Sequence, residues 1–117
     1  MKVISYNLNK HKAIGELDDL VEATGADILC LQEAVTDALA PEIAGLQLAE
    51  ATARNRLGLA VYLRRNTFDA LEVRSMALKK SLHDRVLKPA EERMLAVRLR
   101  DIDHGREFIV ASFHAAP

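Results

Sequence analysis

Two stretches of this chain limit what it can fold into. Ile28-Leu29-Cys30-Leu31 and Gly58-Leu59-Ala60-Val61-Tyr62-Leu63 run apolar with almost no alternation. A strand with one wet face alternates polar and apolar residues, so a strand that does not alternate is covered on both sides. The chain must therefore place material above and below these strands.

The flanking sequence supplies the other elements. Lys2 to Leu8 reads as a strand, β-branched at Val3 and Ile4 and closed by the polar run Asn9-Lys10-His11-Lys12. Leu17, Leu20 and Val21 share a helical face, which predicts an amphipathic helix from Glu16 to Ala23 with Gly25 as terminator. Thr36 and Asp37 can cap a short second helix running toward Ala44, which Pro41 must break or restart. Further strands are expected at 46–51, 58–63 and 71–78. A long loop is expected at 79–92, and a hairpin pairs 94–99 with 107–113 through the turn Asp101-Ile102-Asp103-His104-Gly105. This predicts an α/β (α+β) fold with a mostly antiparallel mixed sheet covered by two short helices on one face. The other face then needs a second layer, and on this reading the chain does not contain it. An incomplete or associating object is the expectation.

Length and charge narrow the class. At 117 residues the chain suits one domain, 1–117, and half of its residues are hydrophobic, so it is globular rather than disordered. No apolar run approaches the ~20 residues of a membrane span, and the start turns polar too early for a secretory signal. The single cysteine, Cys30, excludes a disulfide framework and reads as a core residue in a cytoplasmic protein. The net charge of −1 hides three lysines against nine acidic residues in 1–53, and thirteen basic against eight acidic residues in 54–117. An anionic substrate could use the basic half, although on charge alone solvated strand and loop faces are the preferred account. Lys79, Lys80 and Arg85 could likewise contact phosphates or simply line a solvated loop. Aromatic residues make up only 4% of the chain, which gives no support to a stacking platform for single-stranded nucleic acid.

Three segments end buried strands with polar side chains: Ser5-Tyr6-Asn7-Leu8-Asn9, Cys30-Leu31-Gln32-Glu33 and Ala111-Ser112-Phe113-His114. Rigid scaffolds present functional groups at such strand ends. A lone carboxylate with a neutral amide nearby, Glu33 with Asn7, suits Mg²⁺, which takes one or two carboxylates and keeps several waters. His114 can hydrogen-bond a phosphoryl oxygen or protonate a leaving alkoxide near neutral pH. Taken singly, each has a plainer reading: a strand-end or helix-capping glutamate, a turn asparagine, a satisfied strand-end histidine.

Together the segments resemble the endonuclease/exonuclease/phosphatase superfamily, and the likeness runs in order along the whole chain. Ile4 to Asn7 matches an opening strand that ends in aromatic-Asn. Asp27 to Glu33 matches "Asp–hydrophobic–x–x–Leu–Gln–Glu". Asn55 to Tyr62 is similar to the Gly-led central strand. His114 to Pro117 is similar to the His-x-Ala-Pro of the deoxyribonuclease-like branch.

The resemblance implies half of a four-layer α/β sandwich and a Mg²⁺-dependent phosphodiesterase, with Mn²⁺ as the alternative metal. Glu33 would be a metal ligand. Asn7 and His114 would serve the scissile phosphate and its leaving group, and Arg93 would contact substrate phosphate. Implied partners are a phosphate-containing substrate, DNA among them, together with a missing carboxyl-terminal half or a second copy of the chain; no membrane partner is implied. The resemblance puts the family's Asp-x-Asn segment and late Asp-His pair in the second half of a longer chain, and Asp103-His104, in a hairpin turn, reads as turn chemistry rather than as that pair. The chain is thus expected to be the amino-terminal half of a longer domain and inactive alone, since a general base is worth about 10²–10⁴ in rate. Two alternatives remain: a phosphatase acting on inositol phosphate, lipid or nucleotide, and a non-catalytic module that pairs through an exposed sheet face.

Overall fold

The computed structural model describes residues 1–53, 57–77 and 92–114. The expected loop 79–92 lies almost wholly outside these residues, as do Asn55, Arg56 and the Ala115-Ala116-Pro117 end of the last motif. The described strands form two sheets. In the first, β1 (Val3–Asn7), β2 (Ile28–Ala34), β5 (Gly58–Leu63), β4 (Leu46–Ala51) and β3 (Glu42–Ile43) lie in that order. The β1–β2 pair is parallel, and the other pairs of this sheet are antiparallel. In the second, β6 (Phe68–Ala77), β7 (Glu92–Asp101) and β8 (Glu107–Phe113) form an antiparallel meander.

The non-alternating strands lie where their composition requires. Leu29 and Leu31 of β2, with Ala60 and Tyr62 of β5, face a core shared with Leu17 and Val21 of helix α1 (Leu17–Thr24). Their neighbours Ile28, Cys30, Leu59, Val61 and Leu63 face a second core, shared with Phe68, Leu95, Val97, Leu99 and Val110 of the other sheet. Each fully buried leucine contributes roughly 1.5–3 kcal/mol relative to exposure. The Cys30 thiol is pushed up to about 11 by burial, so it is protonated at neutral pH and serves as packing.

This arrangement corrects two expectations. The single sheet with an uncovered face is in fact two sheets packed face to face, and the chain supplies its own second layer. The signal was the alternation of β8, where Glu107, Ile109, Ala111 and Phe113 are exposed and Val110 and Ser112 are buried. That pattern marks a sheet with one covered and one solvated face. The basis for association through the inner face therefore falls away.

The second helix is also absent. Thr36–Ala38 makes only a 3₁₀ turn, and the chain then enters the β3–β4 hairpin through Ala44 (φ 47) and Gly45 (φ 85). Two left-handed residues are what a tight hairpin of this twist requires, and Pro41 bars the helical alternative. The Tyr62 hydroxyl donates to the Ala40 carbonyl at 2.6 Å and fastens this segment to the sheet.

Elsewhere the expected elements hold. Helix α1 follows a 3₁₀ turn at Ile14–Glu16 and ends at Gly25, which is left-handed (φ 66) and donates its N–H to the Val21 carbonyl. The strand expected at 71–78 begins earlier, at Phe68. Asp103 and His104 lie in the β7–β8 turn, where the Asp101 carboxylate accepts their backbone N–H groups and lies 3.0 Å from His104 Nδ1.

Candidate active site

Parallel pairing carries the ends of β1 and β2 to the same edge, with Asn7 opposite Gln32. The packed second sheet brings the end of β8 and the start of β7 to that edge too. The Ser112 hydroxyl donates to the Leu31 carbonyl at 2.8 Å, and the His114 N–H donates to the Arg93 carbonyl at 2.9 Å. Asn7, Glu33, Arg93 and His114, drawn from four strand ends, thus meet at one rim.

Glu33 is held there by a distortion of β2. The register against β5 slips between Leu31 and Ala34, and Glu33 has φ 55. This is a β-bulge with a left-handed non-glycine residue. Bulges re-aim side chains beside active sites, and left-handed backbone costs a non-glycine residue roughly 1–3 kcal/mol. The surroundings hold the strained carboxylate in place. Its Oε1 accepts the Lys10 backbone N–H at 3.1 Å, and its Oε2 lies 3.6 Å from His114 Nε2. That second separation is an ion-pair distance, too long for a hydrogen bond. The Asn7 amide, then the Lys10 N–H, with the Lys10 charge nearby, hold the Glu33 carboxyl below the usual range against partial desolvation. The group is an anion at neutral pH.

His114 is half-buried, and its Nδ1 lies 3.4 Å from Arg93 Nη1. Because the guanidinium can only donate, Nδ1 is the accepting nitrogen and Nε2 carries the proton toward Glu33. Arg93 is 6% exposed, so its cation is held in the floor of the rim. An anionic carboxylate, a neutral amide, an imidazole N–H and a guanidinium share this small space. The carboxylate and amide oxygens suit a hard cation, and the donors suit phosphate oxygens. Among the described residues no group of three or more His, Cys, Asp or Glu side chains converges as a metal cage.

The loop after β1 is unusual. Asn9, Lys10 and His11 have φ of 50, 57 and 69, three left-handed residues in succession. The Asn7 side chain accepts the Asn9 N–H at 2.8 Å, and His11 Nδ1 accepts the Val35 N–H at 2.9 Å. His11, which has no role assigned from the sequence, braces this loop against the end of β2. Sequence reasoning also passes over Gln32 and Ser112, which tie the two sheets together beneath the rim. The signal was a shared spacing: Ser5 precedes Asn7 by two positions, as Ser112 precedes His114.

Comparison with solved structures places this fold. The human Nocturnin catalytic domain, solved with bound sulfate, superposes with a TM-score of 0.70 at 21% identity, over 97% of this chain and 49% of that one. A D. rerio TDP2 complexed with a single-strand DNA product superposes at 0.70 with 12% identity, over 98% and 46%. ANGEL2, a 2',3'-cyclic phosphatase in complex with adenosine-2',3'-vanadate, superposes at 0.68 with 20% identity, over 97% and 41%.

The fold is that of the endonuclease/exonuclease/phosphatase superfamily.

The chain spans about half the length of these solved superfamily structures, and its two sheets with one covering helix correspond to half of the DNase I-like sandwich. No protein-family profile matches the sequence, and no curated protein matches it significantly. Among the described residues no helix is long and apolar enough to cross a membrane. At these identities the likeness establishes the endonuclease/exonuclease/phosphatase fold, and the chemistry has to be argued from the rim.

Proposed function

We propose that this chain carries half of the active site of a divalent-metal-dependent phosphoesterase acting on phosphodiesters, with nucleic acid as the substrate class. The observation that supports this most is the meeting of Asn7, Glu33, Arg93 and His114 at one rim, with Glu33 aimed there by a strained bulge. Left-handed non-glycine backbone clusters at functional sites, and here it aims the carboxylate at the rim.

Each residue has a part in the proposed chemistry. Glu33 is the ligand of a Mg²⁺ ion, or of Mn²⁺ in its place, and Asn7 keeps that carboxylate ionised and oriented. When bound, the metal supplies neutralisation of charge developing on the phosphoryl group. Arg93 and His114 donate to phosphate oxygens, and the His114 Nε2 proton is the one available to a leaving alkoxide. On this reading the remaining carboxylates and the general base come from the other half of the domain. Residues 1–117 are on this reading the amino-terminal half, working in the cytoplasm as their single reduced thiol suggests. The neighbours' ligands, a sulfate anion, a single-strand DNA product and adenosine-2',3'-vanadate, contain phosphate or an oxyanion that resembles it, which is the chemistry of the substrates proposed here.

Calorimetric titration tests the assignment. The chain should bind Mn²⁺ or Mg²⁺ weakly, and Glu33→Gln should abolish it. Binding of thymidine 5'-monophosphate should weaken roughly tenfold or more in Arg93→Ala, since a charged hydrogen bond contributes about 1.5–3 kcal/mol. Bis-p-nitrophenyl phosphate should turn over at least about 100-fold more slowly with this chain than with one carrying the general base. Metal and nucleotide affinities that both ignore these substitutions would end the proposal.

A further inference from the structure

Among the described residues, two buried polar side chains meet across the apolar core between the two sheets, directly below the rim. Gln32 is 6% exposed and Ser112 1% exposed, although they come from different sheets and lie 80 positions apart. Gln32 Nε2 donates to Ser112 Oγ at 3.0 Å and to Ser5 Oγ at 3.1 Å, with the Cys30 carbonyl at 3.3 Å. The Ser112 hydroxyl spends its own proton on the Leu31 carbonyl at 2.8 Å, so it can only accept from Gln32. The Ser5 hydroxyl also lies 3.4 Å from Gln32 Oε1. The set is internally satisfied, which is the condition for a buried polar cluster to fix geometry rather than weaken a core.

We infer that Gln32 and Ser112, with Ser5, are positioning residues that set the distance between the two halves of the rim. The inference rests on the phosphoesterase reading for its purpose, although its geometry does not. Apolar side chains would hold the sheets together but would tolerate sliding. A hydrogen bond tolerates only a few tenths of an ångström and a limited range of angles. Glu33 follows Gln32 by one position, Asn7 follows Ser5 by two, and His114 follows Ser112 by two. The bridge therefore lies one or two positions behind these functional side chains. A slide of one sheet along the other would carry His114 and Arg93 away from Glu33 and Asn7. Catalytic groups misplaced by an ångström lose most of their effect, so the placement of this bridge is significant.

The test needs no metal and no turnover. In the chain kept in chelator, nuclear Overhauser cross-peaks should connect the Glu33 γ-protons with the His114 ring, given the 3.6 Å separation of Oε2 and Nε2. They should be lost in Ser112→Ala and in Gln32→Leu while the amide spectrum stays dispersed, and restored in Ser112→Thr, which keeps the hydroxyl. Should either variant fail to fold, the exposed Ser5→Ala removes one partner of Gln32 and should weaken the same cross-peaks. Cross-peaks of wild-type strength in the folded variants, with only melting temperature lowered, would make the bridge mere filler and overturn the inference. A separate addition of Mn²⁺ reports on function: no broadening at Glu33 would defeat the phosphoesterase reading and leave the cross-peak result standing.

Discussion

The two sheets are built from similar residues and obey different rules. In the first, β5 is buried at all six positions, because helix α1 and the hairpin segment cover one face and the second sheet covers the other. In the second, the described residues cover only the inner face. Its outer face carries Glu72, Arg98, Arg100 and Glu107 in ion pairs, with Ile109 69% exposed among them. A strand's alternation therefore records how many layers cover it. The comparison also separates two uses of polar groups. On the outer face they are solvated and replaceable. At the rim they are partly enclosed, and most are fixed by hydrogen bonds from neutral groups. Specific geometry is expected to matter in the second setting and not in the first.

The largest effect should come from breaking the two layers unequally. Leu29 is fully buried in the core under α1. Leu29→Ala removes its transfer energy and leaves a cavity, so it should cost about 2–5 kcal/mol. Ile109→Ala on the outer face should stay within about 0.5 kcal/mol. Urea denaturation of the two variants checks this. Equal losses would mean that the outer face of the second sheet is covered in solution.

A smaller effect sharpens the contrast at the rim. Glu33 is left-handed in the β2 bulge, so Glu33→Ala keeps the strain and loses the side-chain contacts, whereas Glu33→Gly releases the strain. Glu33→Gly should be more stable than Glu33→Ala by about 1 kcal/mol, although glycine is ordinarily the poorer strand residue. On the proposed function both should also lose metal binding. A less stable glycine variant would show that the bulge is relaxed and has no tie to function.

Much of this was legible in the sequence, for identifiable reasons. The unbroken apolar runs at 28–31 and 58–63 report burial on both faces, which is a local property of the strand. Asn7, Glu33 and His114 stand out because each interrupts an apolar run at its end, and the fold brings them together with Arg93. The layer count was misread because whether 94–113 extends a sheet or stacks upon it is a matter of long-range packing. The second helix failed because its periodic signal is weak against Pro41 and the Ala44-Gly45 turn. Gln32 and Ser112 were passed over because a glutamine and a serine at strand ends look like solvated residues until the sheets are packed. The left-handed turn at Asn9-Lys10-His11 contains no glycine, so nothing in its composition announces it.

The finest distinction between the two regions is electrostatic. Two glutamates have carboxyls held below their ordinary range, for different reasons. At Glu72 on the outer face, the Arg74 guanidinium supplies a charged hydrogen bond and a coulombic pull, with Arg98 beside it. At Glu33 the leading cause is the neutral Asn7 amide, seconded by the Lys10 backbone N–H. Salt screens exposed charges over about 10 Å at 0.1 M but has little hold on a short hydrogen bond from a neutral donor. Carboxyl-carbon NMR titrations in chelator, at low salt and in 1 M NaCl, should therefore show the Glu72 midpoint climbing toward its ordinary value while Glu33 scarcely moves. The sign for stability follows from both depressions. Each carboxylate stabilises the fold above about pH 4.5, the ordinary glutamate value, and that contribution is lost as pH falls through the folded-state midpoint. The acid-side loss due to Glu33 should survive high salt and vanish in Asn7→Ala, whereas the loss due to Glu72 should shrink in salt alone. A Glu33 midpoint that rises with salt as far as that of Glu72 would mean that the rim is held by charge like the outer face, and the proposed difference between the two regions would not exist.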